Sequence, residues 1–183
     1  MEKINSLTGM TDLIETKADE NVLANKVFQT EKILKEIFTN YAMSEIRTPA
    51  LENTNLFKRS VGDTSDIVNK ELYTFSDKND KSITLRPEGT ASVIRAIIEK
   101  KLDGETHKLW YLGPMWRYER PQKGRYRQFN QAGIEILGYP EGAPEFEMIS
   151  LICELNRKLQ IRKPLIKINH LGDSDTKKLF CEA

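Results

Sequence analysis

The fold of this chain is decided by residues 109–138, which read LWYLGPMWRYERPQKGRYRQFNQAGIEILG. Two segments of this stretch, residues 109–118 and 128–137, are rich in aromatic and large apolar residues. Such residues suit the pleated, half-buried surface of a β-strand. The polar loop between the segments contains Pro121 and Gly124, which favour a turn. The stretch therefore predicts two strands joined by a loop.

The loop is strongly basic. Between Arg117 and Arg127, five basic residues stand against the single acid Glu119, a local charge of +5 − 1 = +4 in a chain whose net charge is only +1. A positive loop on a slightly negative body attracts an anion, most simply a polyphosphate. The charge count by itself favours a plainer interpretation, the solvated tip of a hairpin.

The second strand carries an unusual set of side chains. Because side chains alternate along a strand, one face consists of Phe129, Gln131, Gly133 and Glu135, and the other, which is typical of a core, of Ala132, Ile134 and Ile136. A glycine within a strand marks the close approach of another group, so we expect a gap above Gly133. A carboxylate beside that gap needs a partner. A ligand with N–H donors and a structural Arg or Lys are equally good candidates.

The sequence RYERPQKGRYRQF, which begins at Arg117, resembles motif 2 of the class II aminoacyl-tRNA synthetases in the form found in the histidyl-tRNA synthetase family. The match continues without a gap through Gln131 and Glu135. The turn-bearing segment at residues 7–12 is similar to the family's N-terminal Gly-Met-x-Asp signature. Asn130 departs from the pattern, because the family has histidine there, but it lies on the opposite strand face from Gln131.

The remaining sequence predicts an α+β fold, with a mainly antiparallel sheet flanked by helices. Apolar residues at helical spacing predict helices over residues 20–42 and 145–159. Further helices should begin at Asn53 or Thr54, near Glu88, and at residue 173. Strands are expected over residues 45–51, 72–75, 83–86 and 165–169. Pro49 lacks an amide donor, so the first of these should lie at an edge or an interface.

The composition of the chain limits the classes of protein to which it can belong. With 183 residues, 39% of them hydrophobic, the chain can bury a core as a single domain, residues 1–183. No apolar run approaches the ~18 residues of a membrane helix, and the N-terminus lacks the apolar segment of a signal peptide. Its two cysteines and two histidines form no cluster with metal-ligand spacing, so we expect no metal site. Sparse cysteines favour the reducing cytoplasm.

The resemblance implies the organisation of an incomplete class II synthetase catalytic core. Residues of about 20–51 correspond to motif 1, which forms a homodimer interface in the family, and residues of about 109–138 to motif 2. Motif 3, two histidine-specific motifs and the anticodon-binding domain would lie after residue 183. We therefore expect a fragment, inactive alone, whose sheet has an unpaired edge.

The resemblance also assigns an ATP-binding group. Arg117 is the expected catalytic residue, and its guanidinium would grip the α-phosphate of ATP and the substrate carboxylate. Glu119 would accept a hydrogen bond from the adenine amino group, Phe129 would stack on the ring, and Arg125 would contact the outer phosphates. Mg²⁺ would bridge those phosphates.

A second set of residues is implied to bind histidine. Glu88 and Thr90 would hold the substrate ammonium, although an acid in the first turn of a helix is by default a complement to the helix dipole. Gln131 and Glu135 would hold the rest of the amino acid, with Glu135 accepting from an imidazole N–H.

The implied function is ATP-dependent activation of histidine and its transfer to tRNA(His). The main alternative is a non-catalytic histidine sensor, the regulatory subunit of ATP phosphoribosyltransferase, which is a paralogue of the synthetase and tends to lose motif 2 residues. Retention of Glu88, Arg117, Gln131 and Glu135 favours the synthetase. A third class, a single-strand nucleic-acid module, would need cations and aromatics spread over a wide groove.

Overall fold

The computed structural model describes residues 3–15, 22–61, 70–120, 122–161, 164–169 and 178. Within these ranges the α-helices are α1 (Val22–Asn40), α2 (Thr54–Val61), α3 (Thr90–Glu99) and α4 (Ala143–Lys158). The strands are β1 (Ser44–Glu45), β2 (Leu51–Asn53), β3 (Thr74–Ser76), β4 (Ser82–Leu85), β5 (His107–Trp116) and β6 (Gln128–Leu137). The α+β class predicted from the sequence is confirmed.

The strands of the described residues form two sheets. One has the order β1-β5-β6, with β1 parallel to β5, and the other has the order β2-β4-β3 with antiparallel pairing throughout. The predicted hairpin is the pair β5–β6, which is antiparallel over ten residue pairs. Its register places Tyr111 opposite Gly133 and Gly113 opposite Gln131. The hairpin is therefore the longest strand pairing in the described structure.

The hairpin separates two hydrophobic clusters. On one side α1 and α4 pack on the sheet, and Phe38 of α1 stacks on Trp110 of β5 with ring centroids 5.1 Å apart. Ile134 and Ile136 lie in this cluster, which confirms that their face of β6 is the core face. On the other side α3 packs on the sheet, with Val93 and Ile97 among the buried residues. This second side is the one that carries the candidate site.

The prediction of one strand over residues 45–51 is wrong. The chain leaves β1 after Glu45 and enters β2 of the other sheet at Leu51, and the residues between have no strand structure. Pro49 cannot donate to a ladder, and the carbonyl of Thr48 accepts a hydrogen bond from the Arg86 guanidinium instead of a strand. The expected edge position is confirmed in both sheets, because β1 and β2 are edge strands.

The other elements agree with the prediction to within a few residues, with one exception. Residues 164–169 form no strand, and Leu165 and Ile168 are more than three-quarters exposed, because no strand of the described residues pairs with them. Residues 62–66, whose sequence GDTSD predicts a turn-rich loop, lie outside the described residues. The helix predicted to begin at residue 173 also lies outside them, except for Lys178, which is described and is helical.

Candidate active site

The start of α3 is held by Glu88. Its two carboxylate oxygens accept hydrogen bonds from the backbone amides of Thr90 (2.6 Å) and Ala91 (2.9 Å). These amides are among the donors that a helix N-terminus leaves without intrahelical partners. The expected structural role of Glu88 is therefore present, and the same bonds direct its negative charge toward the beginning of the helix.

Thr90 connects α3 to the hairpin. Its hydroxyl donates to a carboxylate oxygen of Glu135, with the two oxygens 2.7 Å apart. Burial raises the pKa of the Glu135 carboxyl, the hydrogen bond from Thr90 opposes that rise, and the negative charge of Glu88 adds to it. The structure thus brings together Glu88, Thr90 and Glu135, three of the four residues expected to bind histidine.

The expected gap above Gly133 is filled, which corrects the sequence interpretation. The ring of Tyr111, from the facing position of β5, occupies it: a Cβ at Gly133 would lie 2.2 Å from the Tyr111 Cζ. A Cβ at Gly89 would lie 2.3 Å from the same ring. Two glycines therefore admit one buried tyrosine, and burial raises the pKa of its hydroxyl. The glycine at 133 therefore makes room for a side chain of the protein itself.

Gln131, the fourth residue, has an unsatisfied amide. Its side-chain oxygen is buried and has no hydrogen-bond partner among the described residues. Opposite it stands Gly113, where a Cβ would lie 2.9 Å from a terminal nitrogen of Arg86. A buried acceptor without a donor is costly, so a ligand with an N–H group would satisfy Gln131.

Arg86 lies beneath this part of the hairpin. Its Nη1 donates to the carbonyl (2.8 Å) and the hydroxyl (3.0 Å) of Thr48, and its Nε donates to the carbonyl of Pro114 (3.1 Å). Burial lowers the pKa of the guanidinium, an effect that the charge of Glu52 opposes. Arg86 therefore joins both sheets under the site.

The ATP-binding group begins directly beside the histidine group. Arg117 donates through Nε to the carbonyl of Pro87 (2.9 Å), the residue before Glu88. Its guanidinium carbon lies 5.2 Å from the ring centroid of Phe129, a cation–π distance. The structure therefore brings Arg117 and Phe129 together and places both next to the start of α3.

The other two residues of the ATP-binding group contact each other. Arg125 forms an ion pair with Glu119 (3.3 Å), in which the arginine side chain is 61% exposed and the glutamate side chain 17%. Gln122 and Arg125 pair across the tip of the loop, and Gly124 between them has φ +82°. Because Arg125 is largely exposed to solvent, its ion pair with Glu119 contributes little to stability. A bound anion can therefore replace Glu119 as the partner of Arg125 at small energetic cost.

Asn130 lies away from the site, as the strand alternation predicts. Its side-chain nitrogen donates to a carboxylate oxygen of Glu31 on α1, at 2.9 Å. The departure from the family pattern at this position therefore concerns the packing of α1 on the sheet.

Two residues that shape the candidate site escaped the sequence interpretation, Tyr111 and Arg86. A signal for Tyr111 exists, because a hairpin register places an aromatic residue opposite a strand glycine, a known compensating arrangement. For Arg86 no local pattern exists, since its partners Thr48 and Pro114 are distant in sequence.

Two searches of the described residues bear on function. No group of three or more His, Cys, Asp or Glu side chains within them is placed to hold a metal ion. Within the same residues, no helix is long and apolar enough to cross a membrane.

The architecture is that of a class II aminoacyl-tRNA synthetase catalytic domain. The solved structure of apo histidyl-tRNA synthetase from S. aureus matches 99% of this chain and 41% of that chain, with a TM-score of 0.79 and 36% identity. A Bacillus halodurans C protein described as an ATP phosphoribosyltransferase regulatory subunit/histidyl-tRNA synthetase matches 89% of this chain and 40% of that chain, with a TM-score of 0.65. Its 22% identity shows a shared fold alone.

The sequence comparisons are more specific. The family model described as histidyl-tRNA synthetase matches residues 20–173, and the chain belongs to that family. A histidine–tRNA ligase of Prochlorococcus marinus (strain MIT 9515) is 45% identical over 184 residues, which cover 100% of this chain and 42% of that relative. The chain therefore spans about two-fifths of the length of the relatives it matches.

Proposed function

We propose that this chain is the N-terminal portion of a histidine–tRNA ligase catalytic domain, which activates histidine with ATP and transfers it to tRNA(His). The observation that supports the proposal is the Thr90–Glu135 hydrogen bond on the same face of β6 as the unsatisfied side-chain oxygen of Gln131. Arg117 lies close to the Thr90 end of this group, because its guanidinium donates to the carbonyl of Pro87, next to Glu88. A group rich in hydrogen-bond acceptors thus adjoins the basic loop.

The histidine group has the chemistry of a cation and N–H receptor. Glu88 and Thr90 would hold the substrate ammonium by charge-assisted hydrogen bonds. Glu135 would accept from an imidazole N–H, and no Lys or Arg of the described residues forms an ion pair with it. Burial without a cation makes the Glu135 carboxylate costly in the free protein, so a substrate donor stabilises it.

The loop would bind ATP and stabilise the developing charge. A histidine carboxylate oxygen attacks the α-phosphorus in line, the bond from that phosphorus to the bridging oxygen breaks, and pyrophosphate leaves with the electron pair. Arg117 is the proposed catalytic residue. Among the described residues its side chain donates only through Nε, so its two terminal nitrogens are available to the two oxyanions. Its work is positioning and charge stabilisation.

The remaining contacts to ATP follow from the loop. Phe129 would stack on the adenine, Glu119 would accept from its amino group, and Arg125 would exchange Glu119 for the outer phosphates. Mg²⁺ usually retains water and phosphate ligands in such sites, so we propose that it enters as Mg–ATP. The proposed location is the cytoplasm, where ATP and tRNA are present.

A chimera tests the proposed function. These 183 residues are joined to the part of the Prochlorococcus marinus ligase that follows the matched region, and histidine-dependent exchange of pyrophosphate into ATP is measured. We expect exchange from the chimera and none from the 183 residues alone, because one wall of the adenine pocket is expected from motif 3. Robust exchange by the 183 residues would show that the site is complete without the rest.

The sensing alternative gives a different result in the same assay. A chimera that binds both histidine and Mg–ATP but catalyses no exchange would favour the regulatory role. The comparison with the Bacillus halodurans protein does not favour that role, because the identity of 22% supports the fold only.

We also propose a homodimer formed through the motif 1 region. Apolar side chains are exposed on its elements: Leu23 of α1 is 54% exposed and Leu51 of β2 is 44% exposed, and Pro49 between the sheets is exposed as well. Light scattering should give the mass of a dimer for the 183-residue chain at tens of micromolar. At roughly this concentration, interfaces of modest area still form. A monodisperse monomer would contradict the proposal.

A further inference from the structure

The turn at residues 7–10 is the part of the family resemblance to which the proposed function assigns no role. The amide of Met10 donates to the carbonyl of Leu7 (3.0 Å), which closes the turn. Gly9 within it has φ +80°, a conformation that glycine adopts without strain and that other residues rarely adopt. The turn lies against the second leg of the motif 2 loop.

The carbonyl of Gly9 accepts two backbone hydrogen bonds from that leg. The donors are the amides of Arg127 (2.8 Å) and Gln128 (3.1 Å). The carbonyl of Arg127 in turn accepts from the amide of Arg117 (2.9 Å) on the first leg. Backbone hydrogen bonds therefore connect the turn to the proposed catalytic arginine through a single intervening residue.

The contact leaves no room for a side chain at position 9. A Cβ on Gly9 would lie 2.9 Å from the Cγ of Arg127 and 3.1 Å from its backbone nitrogen. The nitrogen cannot move away without lengthening the hydrogen bond that it donates to Gly9. The turn and the loop can approach this closely only with glycine at this position.

Arg127 ties the two legs together from the other side. Its guanidinium carbon lies 4.2 Å from the ring centroid of Tyr118, and its Nε donates to the carbonyl of Glu119 (3.2 Å). Tyr118 is anchored in turn, because its amide donates to the carbonyl of Glu71 (2.7 Å) and its ring meets Tyr73 edge-on. The guanidinium of Arg127 is therefore bound by groups of the protein, whereas that of Arg125 is mostly exposed to solvent.

We propose that the turn at Gly9 is a positioning element that fixes the spacing of the two legs of the loop. Arg117 and Glu119 come from the first leg and Phe129 from the start of β6, so that spacing determines whether they face one ligand. This role of the turn rests on the proposed function, because the ligand that the three residues face is the proposed Mg–ATP. The histidine group lies along β6 and α3, beyond the reach of the turn.

Amide hydrogen exchange on the 183-residue chain tests the proposal with a matched pair of variants. Gly9→Ala introduces a Cβ at φ +80° against Arg127, whereas Gly142→Ala introduces one at φ +93° with no atom within 4 Å. The second variant therefore controls for backbone strain alone. We expect the amides of Arg117, Arg127 and Gln128 to exchange about tenfold or more faster in Gly9→Ala than in Gly142→Ala. Amides at residues 133–137 should exchange equally in both.

Equal exchange of the loop amides in the two variants would overturn the proposal. If Gly9→Ala does not fold, removal of residues 1–10 decides, because it removes the Gly9 carbonyl and leaves the sequence of the loop unchanged. The amide of Arg117, which does not itself bond to the turn, should then exchange faster than in the full chain, and unchanged protection of this amide would overturn the proposal.

Dissociation constants separate positioning from a general loss of structure. In the ligase chimera, the constant for Mg–ATP should be at least about fivefold higher with Gly9→Ala than with Gly142→Ala, while the constant for histidine stays within about twofold. An equal rise for both ligands would contradict positioning. A chimera without either substitution that binds no Mg–ATP would count against the proposed ATP site, and the exchange result would still decide whether the turn holds the loop.

Discussion

The two halves of the candidate site are built in different ways. The histidine group is built around a buried ring and short hydrogen bonds: the buried Tyr111 ring lies within contact of Gly89 and Gly133, and Thr90 bonds to Glu135. The ATP-binding group stands on a loop, where Arg125 is 61% exposed and paired with Glu119 at 3.3 Å. One half is packed on the core through Tyr111, and the other is a charged surface segment.

This difference predicts how each half responds to change. A half that is packed around a buried ring tolerates little added volume, and because it contains no ion pair among the described residues, salt should affect it little. An exposed, charged half tolerates volume, but its ion pair weakens in salt and yields to a ligand phosphate. The two constructions agree with the roles proposed above, a rigid group for the amino acid and an adaptable loop for the nucleotide.

The largest effect is expected from an added methyl group in the buried half. Gly133→Ala places a Cβ 2.2 Å from Tyr111, so the ring must leave its position between two glycines. We expect a loss of about 3 kcal/mol in the free energy of unfolding, the upper range for overpacking a core. Urea unfolding measures it. Gly104→Ala, where no atom lies within 4 Å, is the control and should change stability by less than about 0.5 kcal/mol. Similar values for both variants would mean that Tyr111 is not packed as described.

The next largest effect concerns catalysis on the loop. Arg117→Ala in the ligase chimera should lower the rate of histidine-dependent pyrophosphate exchange by about 100-fold or more, as removal of other preorganised charge stabilisers does. Arg117→Lys should fall nearly as far, because an ammonium cannot bridge two oxyanions. Exchange within a few-fold of the unchanged chimera would remove Arg117 from the proposed role.

A pH dependence distinguishes the buried carboxyl. The folded-state pKa of Glu135 is raised, so its contribution to stability is fully present below the ordinary carboxyl pKa and is lost as pH rises through the raised value. Glu135→Gln cannot ionise. The free energy of unfolding of the wild type should therefore fall relative to that of Glu135→Gln as the pH rises above the ordinary carboxyl pKa of about 4.3. Parallel profiles would show that the carboxyl is not buried as described.

The same substitution tests specificity. In the chimera, Glu135→Gln should lose selection for histidine over amino acids of similar size, because an amide is a weaker acceptor for an imidazole N–H than a carboxylate. Selectivity equal to that of the unchanged chimera would assign the recognition of the side chain to other residues.

The smallest effect is expected at the loop tip. Arg125→Ala removes a solvent-exposed ion pair with Glu119 and should change the free energy of unfolding by less than about 0.5 kcal/mol. Its affinity for Mg–ATP should fall and lose part of its salt dependence. A large loss of stability would mean that the tip is part of the core and would remove the contrast between the two halves.

Sequence reasoning recovered the features that local periodicity determines. The alternation along β6 placed Gln131 and Glu135 on one face and Ile134 on the other, and the structure confirms this division. It failed where distant residues decide. The strand over residues 45–51 breaks because its two ends belong to different sheets, and the space above Gly133 is taken by Tyr111 from another strand. Burial and register are properties of the packed chain, which a local pattern does not encode.

The roles proposed for Glu88 and Thr90 are compatible with the hydrogen bonds that these residues form within the protein. The resemblance names Glu88 and Thr90 as ammonium ligands, whereas the structure shows Glu88 bonded to two helix amides and Thr90 to Glu135. Both arrangements are compatible, because each carboxylate oxygen accepts more than one hydrogen bond.

The central claim is that the buried half of the site receives histidine, and the side-chain amide of Gln131 tests it most directly. In ¹H–¹⁵N correlation spectra of the 183-residue chain, titration with L-histidine should shift the Gln131 side-chain resonances saturably, and Glu135→Gln should abolish the shift. The side-chain amide of Asn130, bonded to Glu31 on the opposite face, should stay in place in the same spectra. A stationary Gln131 resonance, or equal shifts of Gln131 and Asn130, would contradict the assignment of this pocket to histidine.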